Sequence, residues 1–262
     1  MKSFYLIFLL VCFTSFGQSN GVQKINKAVL EINADQWIGY DKFGYEYFIK
    51  NGVLNKRQNN ELFEYKNLSF GKITSVDIQN PLKIVVIFEP FNAVVTLDNQ
   101  LNETQRILFS DLPEPLVLTA VGFAAQNKLW GFDRLSQRLL LYDFIKNTPQ
   151  FLGPPREEQM IYHQTDLNFF YWIDDAYTLY CCDIFGKTTV LGTTHFFEQC
   201  WILPNQKLLI YEKGKFYFQD FIKDLWVDLE IIEKNVEKFT FANGILSIFT
   251  NKQIFNHQIN LP

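Results

Sequence analysis

Short apolar runs broken by Gly, Pro, Asn and Asp recur along the whole chain and sort into six groups of about 40 residues. The first covers 28–32, 37–40, 45–49 and 62–65, and the second 73–78, 84–88, 93–97 and 106–109. The third covers 116–123, 129–132, 138–142 and 150–152, and the fourth 161–163, 169–173, 177–182 and 188–191. The fifth covers 200–203, 208–211, 216–219 and 225–227, and the sixth only 239–241, 245–249 and 254–257. Runs this short, with turn residues every eight to twelve positions, predict β-strands of an all-β protein. Continuously apolar strands such as 84–88 predict sheets covered on both faces. One segment departs from the pattern. Phe221, Leu225, Leu229, Ile232 and Val236 recur at spacings of four, four, three and four, so an amphipathic helix competes there with a strand at 225–227.

The third strand of four groups ends in Asp followed by a polar turn, at Asp98, Asp143, Asp183 and Asp220, which stand 45, 40 and 37 residues apart. An Asp before a tight turn accepts backbone N–H groups, so these carboxylates are expected to hold turns rather than to form a cation-binding ring. Leu141-Tyr142-Asp143 with Lys146 and Asn147, echoed by Asp183 with Gly186 and Lys187, resembles the turn of NHL- and quinoprotein-like blades. The absence of a Trp-Asp dipeptide and of a Gly-His pair counts against the WD type. The resemblance implies a six-bladed β-propeller and no catalytic residue. Pairing the spare strand at 22–25 with the incomplete sixth group would close the ring and remove the open edges. Two stacked β-domains are the alternative.

Composition agrees: aromatics make up 17%, with 27 Phe and 12 Tyr, which suits pleated, half-buried strands. The net charge of −4 is spread over both signs, and no basic face predicts nucleic-acid binding. Lys2, the apolar run 5–13 and the small or polar residues 14–18 have the form of a secretory leader, too short to span a bilayer. We therefore expect a leader over 1–18, a single propeller domain over 19–262, and no transmembrane span in the mature chain. Cys181 and Cys182 are neighbours on one strand and face opposite sides, so at most one could reach Cys200. Three buried thiols are the other possibility.

Candidate chemistry is sparse. Asp174 and Asp175 sit where a hairpin wants such residues, without the alternating Asp/Asn pattern of a calcium loop. His163, His195 and His257 fall in different groups, and no nucleophile, zinc or phosphate-loop motif accompanies them. A hydrolase or lactonase with a metal in the central channel would need several ligands converging from the innermost strands, which offer Asp77 and His163. Propeller rims built from turns and links are the usual places for recognition. Phe91, Arg134, Arg156, Tyr162, His195, Phe196 and Phe197 are the candidate anchors there, unless they pack between sheets. The expectation is an exported, non-catalytic protein-binding or scaffolding module without a cofactor, placed in the periplasm, on the outer membrane or outside the cell.

Overall fold

A computed structural model describes residues 23–261, so the leader expected over 1–18 lies outside the described residues, as does Val22. The chain enters through β1 (Gln23–Glu31). The first sheet is β2 (Gln36–Tyr40), β3 (Glu46–Lys50), β4 (Val53–Gln58) and β5 (Glu61–Tyr65), and the second is β6 (Ser75–Asp77), β7 (Ile84–Phe88), β8 (Ala93–Leu97) and β9 (Glu103–Leu108). The third is β10 (Leu118–Ala124), β11 (Lys128–Asp133), β12 (Arg138–Asp143) and β13 (Thr148–Leu152), and the fourth is β14 (Met160–Thr165), β15 (Phe169–Asp174), β16 (Thr178–Asp183) and β17 (Thr188–Thr193). The fifth is β18 (Gln199–Leu203), β19 (Lys207–Glu212), β20 (Lys215–Asp220) and β21 (Leu225–Ile232). The sixth contains β22 (Lys238–Ala242), β23 (Ile245–Thr250) and β24 (Gln253–Asn260), and takes its outer strand from the start of the chain in the order β1-β24-β23-β22.

Alternation within each strand makes the ring. In β7, Ile84 and Val86 pack toward the first sheet with Leu54 and Ile49, while Val85 and Ile87 pack toward the third with Leu118 and Leu140. Further apolar layers join the third sheet to the fourth, the fourth to the fifth and the fifth to the sixth. The last layer joins Phe249 and Ile254 of the sixth sheet to Trp37 and Phe48 of the first. The chain is a six-bladed β-propeller. Val85, Leu139, Leu208 and Leu246 are fully buried, each contributing about 1.5–3 kcal/mol relative to exposure.

Two sequence expectations need correction. The run 28–32 is not a strand of the first blade: its residues 28–31 are the second half of β1, paired with β24 from Ala28↔Asn256 to Glu31↔Gln253. The strand that takes its place is β4, whose polar residues Lys56, Arg57 and Gln58 hid it from a search for apolar runs. The competing helix at 221–236 is absent, and β21 runs through it as a strand. Leu225, Val227, Leu229 and Ile231 pack inward, so the four-residue spacing was twice the strand period of two.

The four marker carboxylates hold their turns. Asp98 Oδ1 accepts the N–H groups of Gln100 (2.8 Å) and Asn102 (2.9 Å), and Asp143 Oδ1 those of Ile145 (2.8 Å) and Lys146 (3.0 Å). Asp183 does so for Phe185 and Lys187, and Asp220 for Ile222 and Lys223. These turns, with those between first and second strands, form one face of the ring, here the turn face. Turns between second and third strands and the links between blades form the other, the link face.

Candidate functional site

The innermost strands enclose a cavity of about 1020 Å³ whose apolar wall includes Ile38, Val76, Val121, Trp201 and Ile202. Its carboxylates stand at the turn-face end and are engaged. Asp41 Oδ1 accepts Phe43 N (2.9 Å) and Tyr45 N (3.0 Å), and the Tyr47 hydroxyl donates to Oδ2 (3.1 Å). Asp166 repeats the arrangement with Asn168 N, Phe169 N and the Tyr171 hydroxyl. Asp174, on the link face, repeats it again with Ala176 N, Thr178 N and the Tyr180 hydroxyl, so the Asp174–Asp175 turn is built by the same device. Burial, followed by the neighbouring carboxylates, pushes the Tyr47 and Tyr171 hydroxyls upward, keeping them protonated donors. Asp77 ties blades together: its oxygens accept Gln79 N (2.9 Å) and Phe123 N (2.7 Å). The Gln79 amide then donates to the Thr165 carbonyl at 2.5 Å.

Nitrogen bases also line the channel, Lys42 at its turn-face end and, deeper in protein, His163 and Lys238. His163 is accessible from it yet surrounded by protein, stacks on Phe170 at 6.0 Å, and is pushed down to about 4 by burial, so it is neutral at neutral pH. Lys238 is half-buried, and burial lowers it to about 8. Among the described residues no group of three or more His, Cys, Asp and Glu is placed to hold a metal ion. Cys181, Cys182 and Cys200 are free and buried, so neither bridge to Cys200 forms.

The seven rim residues divide. Tyr162, Phe196 and Phe197 come together around Tyr177: Phe197 meets Tyr162 and Tyr177 edge-on at 6.1 Å each, and Phe196 meets Tyr177 at 6.5 Å. His195 lies edge-on to Trp226 at 5.2 Å, and Trp226 lies against Tyr217 at 5.3 Å. The result is two aromatic groups on blades 4 and 5, joined through the neighbouring residues His195 and Phe196, in which Phe196 is 51% and Trp226 39% exposed. Tyr162 and Phe197 are only partly exposed and support the first from beneath. Phe91, Arg134 and Arg156 stand apart. Phe91 packs on Phe70 at 5.8 Å, and Arg134 is exposed at the turn between β11 and β12. Arg156 is pinned by Thr188 Oγ1 (2.9 Å) and Glu158 (3.3 Å) with its guanidinium 4.0 Å above Trp172. Tyr177, Tyr217 and Trp226 were not singled out from sequence, because they join the patch only through the pairing of strands. The readable signal was Tyr177 itself, a bulky residue in a hairpin turn, which adopts φ 60° there.

No family model and no curated protein matches the chain. Solved structures do resemble it. A DUF4221 family member from Bacteroides vulgatus aligns with a TM-score of 0.64 at 8% identity, over 93% of this chain and 99% of that one. YCF48 bound to D1 peptide aligns at 0.59 and 11% identity, over 90% and 98%. A streptogramin B lyase aligns at 0.57 and 11% identity, over 90% and 98%. At such identities the likeness is one of fold.

Proposed function

We propose that the protein is an exported, non-catalytic binding module that holds a partner protein where blades 4 and 5 meet. The observation that carries this reading is the aromatic patch, where Phe196 and Trp226 stay exposed while touching Tyr177, Tyr217 and His195. Clustered aromatics that offer large, stiff apolar area at low entropic cost are the usual anchors of protein interfaces. Two further features support it: the channel carboxylates already accept turn N–H groups, and among the solved structures of this fold is YCF48 bound to D1 peptide. Export is read from the leader-like residues 1–18.

A photo-crosslinking residue placed at position 196 in cells should give a protein adduct that the same residue at position 185, on the turn face, does not give. The adduct should disappear with Trp226→Ala and persist with Arg134→Ala. Equal adducts from both positions, or none from 196, would remove the rim reading. Export is checked separately by N-terminal sequencing. Recovery outside the cytoplasm with a start near residue 19 is expected, and a cytosolic chain retaining residues 1–18 would contradict it.

A further inference from the structure

Three turns of the turn face carry a large apolar side chain two residues after the turn-holding Asp: Ile145 is 79%, Phe185 84% and Ile222 66% exposed. The turn does not require one. Gln100 occupies the same place after Asp98 and donates the same hydrogen bond, at 2.8 Å, as Ile145 does to Asp143. Each apolar tip is followed within two residues by a lysine, Lys146, Lys187 and Lys223, all exposed and none in an ion pair among the described residues. Asp143, Asp183 and Asp220 are engaged by the turns themselves, accepting the backbone N–H groups of those same lysines, and the exposed Asp224 beside Lys223 is the one further carboxylate in these three turns. On the inner turns of this face Phe43, Leu82 and Leu167 are exposed as well.

We propose that the turn face rests on an anionic lipid bilayer, with Ile145, Phe185 and Ile222 inserted among the headgroups and Lys146, Lys187 and Lys223 against lipid phosphates. The spacing of the tips favours lipid over protein. They stand on separate blades, one to a turn, whereas protein interfaces gather their anchors in a central cluster and are depleted in lysine. A bilayer surface takes dispersed apolar tips and attracts each accompanying cation by its negative potential. The inference does not rest on the rim reading, because it uses different residues.

Flotation with vesicles tests it, using the chain from residue 19 onward, which contains the whole ring. Binding is expected to vesicles of phosphatidylcholine with about 30% phosphatidylglycerol, and at least about fivefold less to pure phosphatidylcholine. The combined Ile145→Ser, Phe185→Ser and Ile222→Ser variant should lose binding at least about fivefold while keeping its melting temperature, these side chains being exposed. Phe196→Ala should bind vesicles as the parent does. Failure to float with anionic vesicles, or undiminished flotation of the triple variant, overturns the proposal. A protein adduct from position 185 in cells, without vesicle binding, would assign the face to a protein partner instead. Loss of the adduct from position 196 leaves these outcomes untouched, so the two readings fail separately.

Discussion

Asp133 shows how one carboxylate fixes a link-face turn. It is 2% exposed and accepts Val117 N (2.8 Å), Ser136 N (2.9 Å) and the Ser136 hydroxyl (2.6 Å). Burial alone would raise its pKa. The Ser136 hydroxyl and the N–H groups of Val117, Ser136 and Leu135 outweigh that and hold the carboxyl below its ordinary range. A carboxylate depressed in the folded state contributes stability above its unfolded pKa, about 3.9, and loses it as pH falls through the folded value. Asp133→Asn should therefore be less stable at pH 7, by about 1–2 kcal/mol, because a charged acceptor becomes neutral. It should also lose less than the parent between pH 5 and the acid transition. Urea midpoints at pH 7 and at about pH 3 compare the two, and parallel losses in both proteins would remove Asp133 from the acid-sensitive groups.

At the scale of the element, neighbouring blades approach through small residues. A Cβ added to Gly122 of β10 would lie 2.8 Å from the Thr165 Cβ and 2.9 Å from its Cγ2, on β14 of the next blade. Thr165 is held in turn by the Gln79 amide. Gly122→Ala should cost about 1–3 kcal/mol through overpacking. In a Thr165→Gly background the same change should cost at least about 1 kcal/mol less, which a double-mutant cycle in urea would register. Equal costs in both backgrounds would show that the clash is relieved elsewhere. This contact could not be read from sequence, where Gly122 was only a glycine inside an apolar run. Strands whose two faces are both covered, such as β7, β12 and β19, were legible because their buried stretches, 84–88, 139–142 and 208–211, are continuously apolar. By contrast β4 was not, since Lys56 and Arg57 use polar heads and long stems: the Lys56 ammonium donates to the Asn99 carbonyl of the next blade and lies 4.3 Å from the Tyr45 ring centre. The aromatic patch was half legible, because the link residues His195, Phe196 and Phe197 are adjacent in sequence while Tyr177 and Trp226 arrive from β-hairpins.

For the molecule as a whole, the meeting of the chain ends is the contact with the largest sequence separation. β1 pairs with β24 from Gln23↔Asn260 to Glu31↔Gln253, and Ile32, just beyond it, packs with Trp37 and Phe249 between the last blade and the first. Its ladder covers the outer edge of β24, which would otherwise present unpaired N–H and C=O groups. Deleting residues 1–31 should thus uncover an edge strand. We expect a melting temperature lower by roughly 10 °C, on the scale of about 2–4 °C per kcal/mol for a domain of this size, together with concentration-dependent association in size-exclusion chromatography. A circular permutant that joins residue 261 to residue 23 by a short flexible link and opens the chain at Gly153, an exposed link between blades, keeps the β1–β24 ladder intact. It should melt near the parent temperature and remain monomeric wherever the parent does. If the deletion instead melts with the parent and shows no added association, β1 is a dispensable addition to a ring that its apolar layers close unaided. If the permutant melts with the deletion, opening the third-to-fourth link is as harmful as losing β1, and the ring depends on chain continuity there as well.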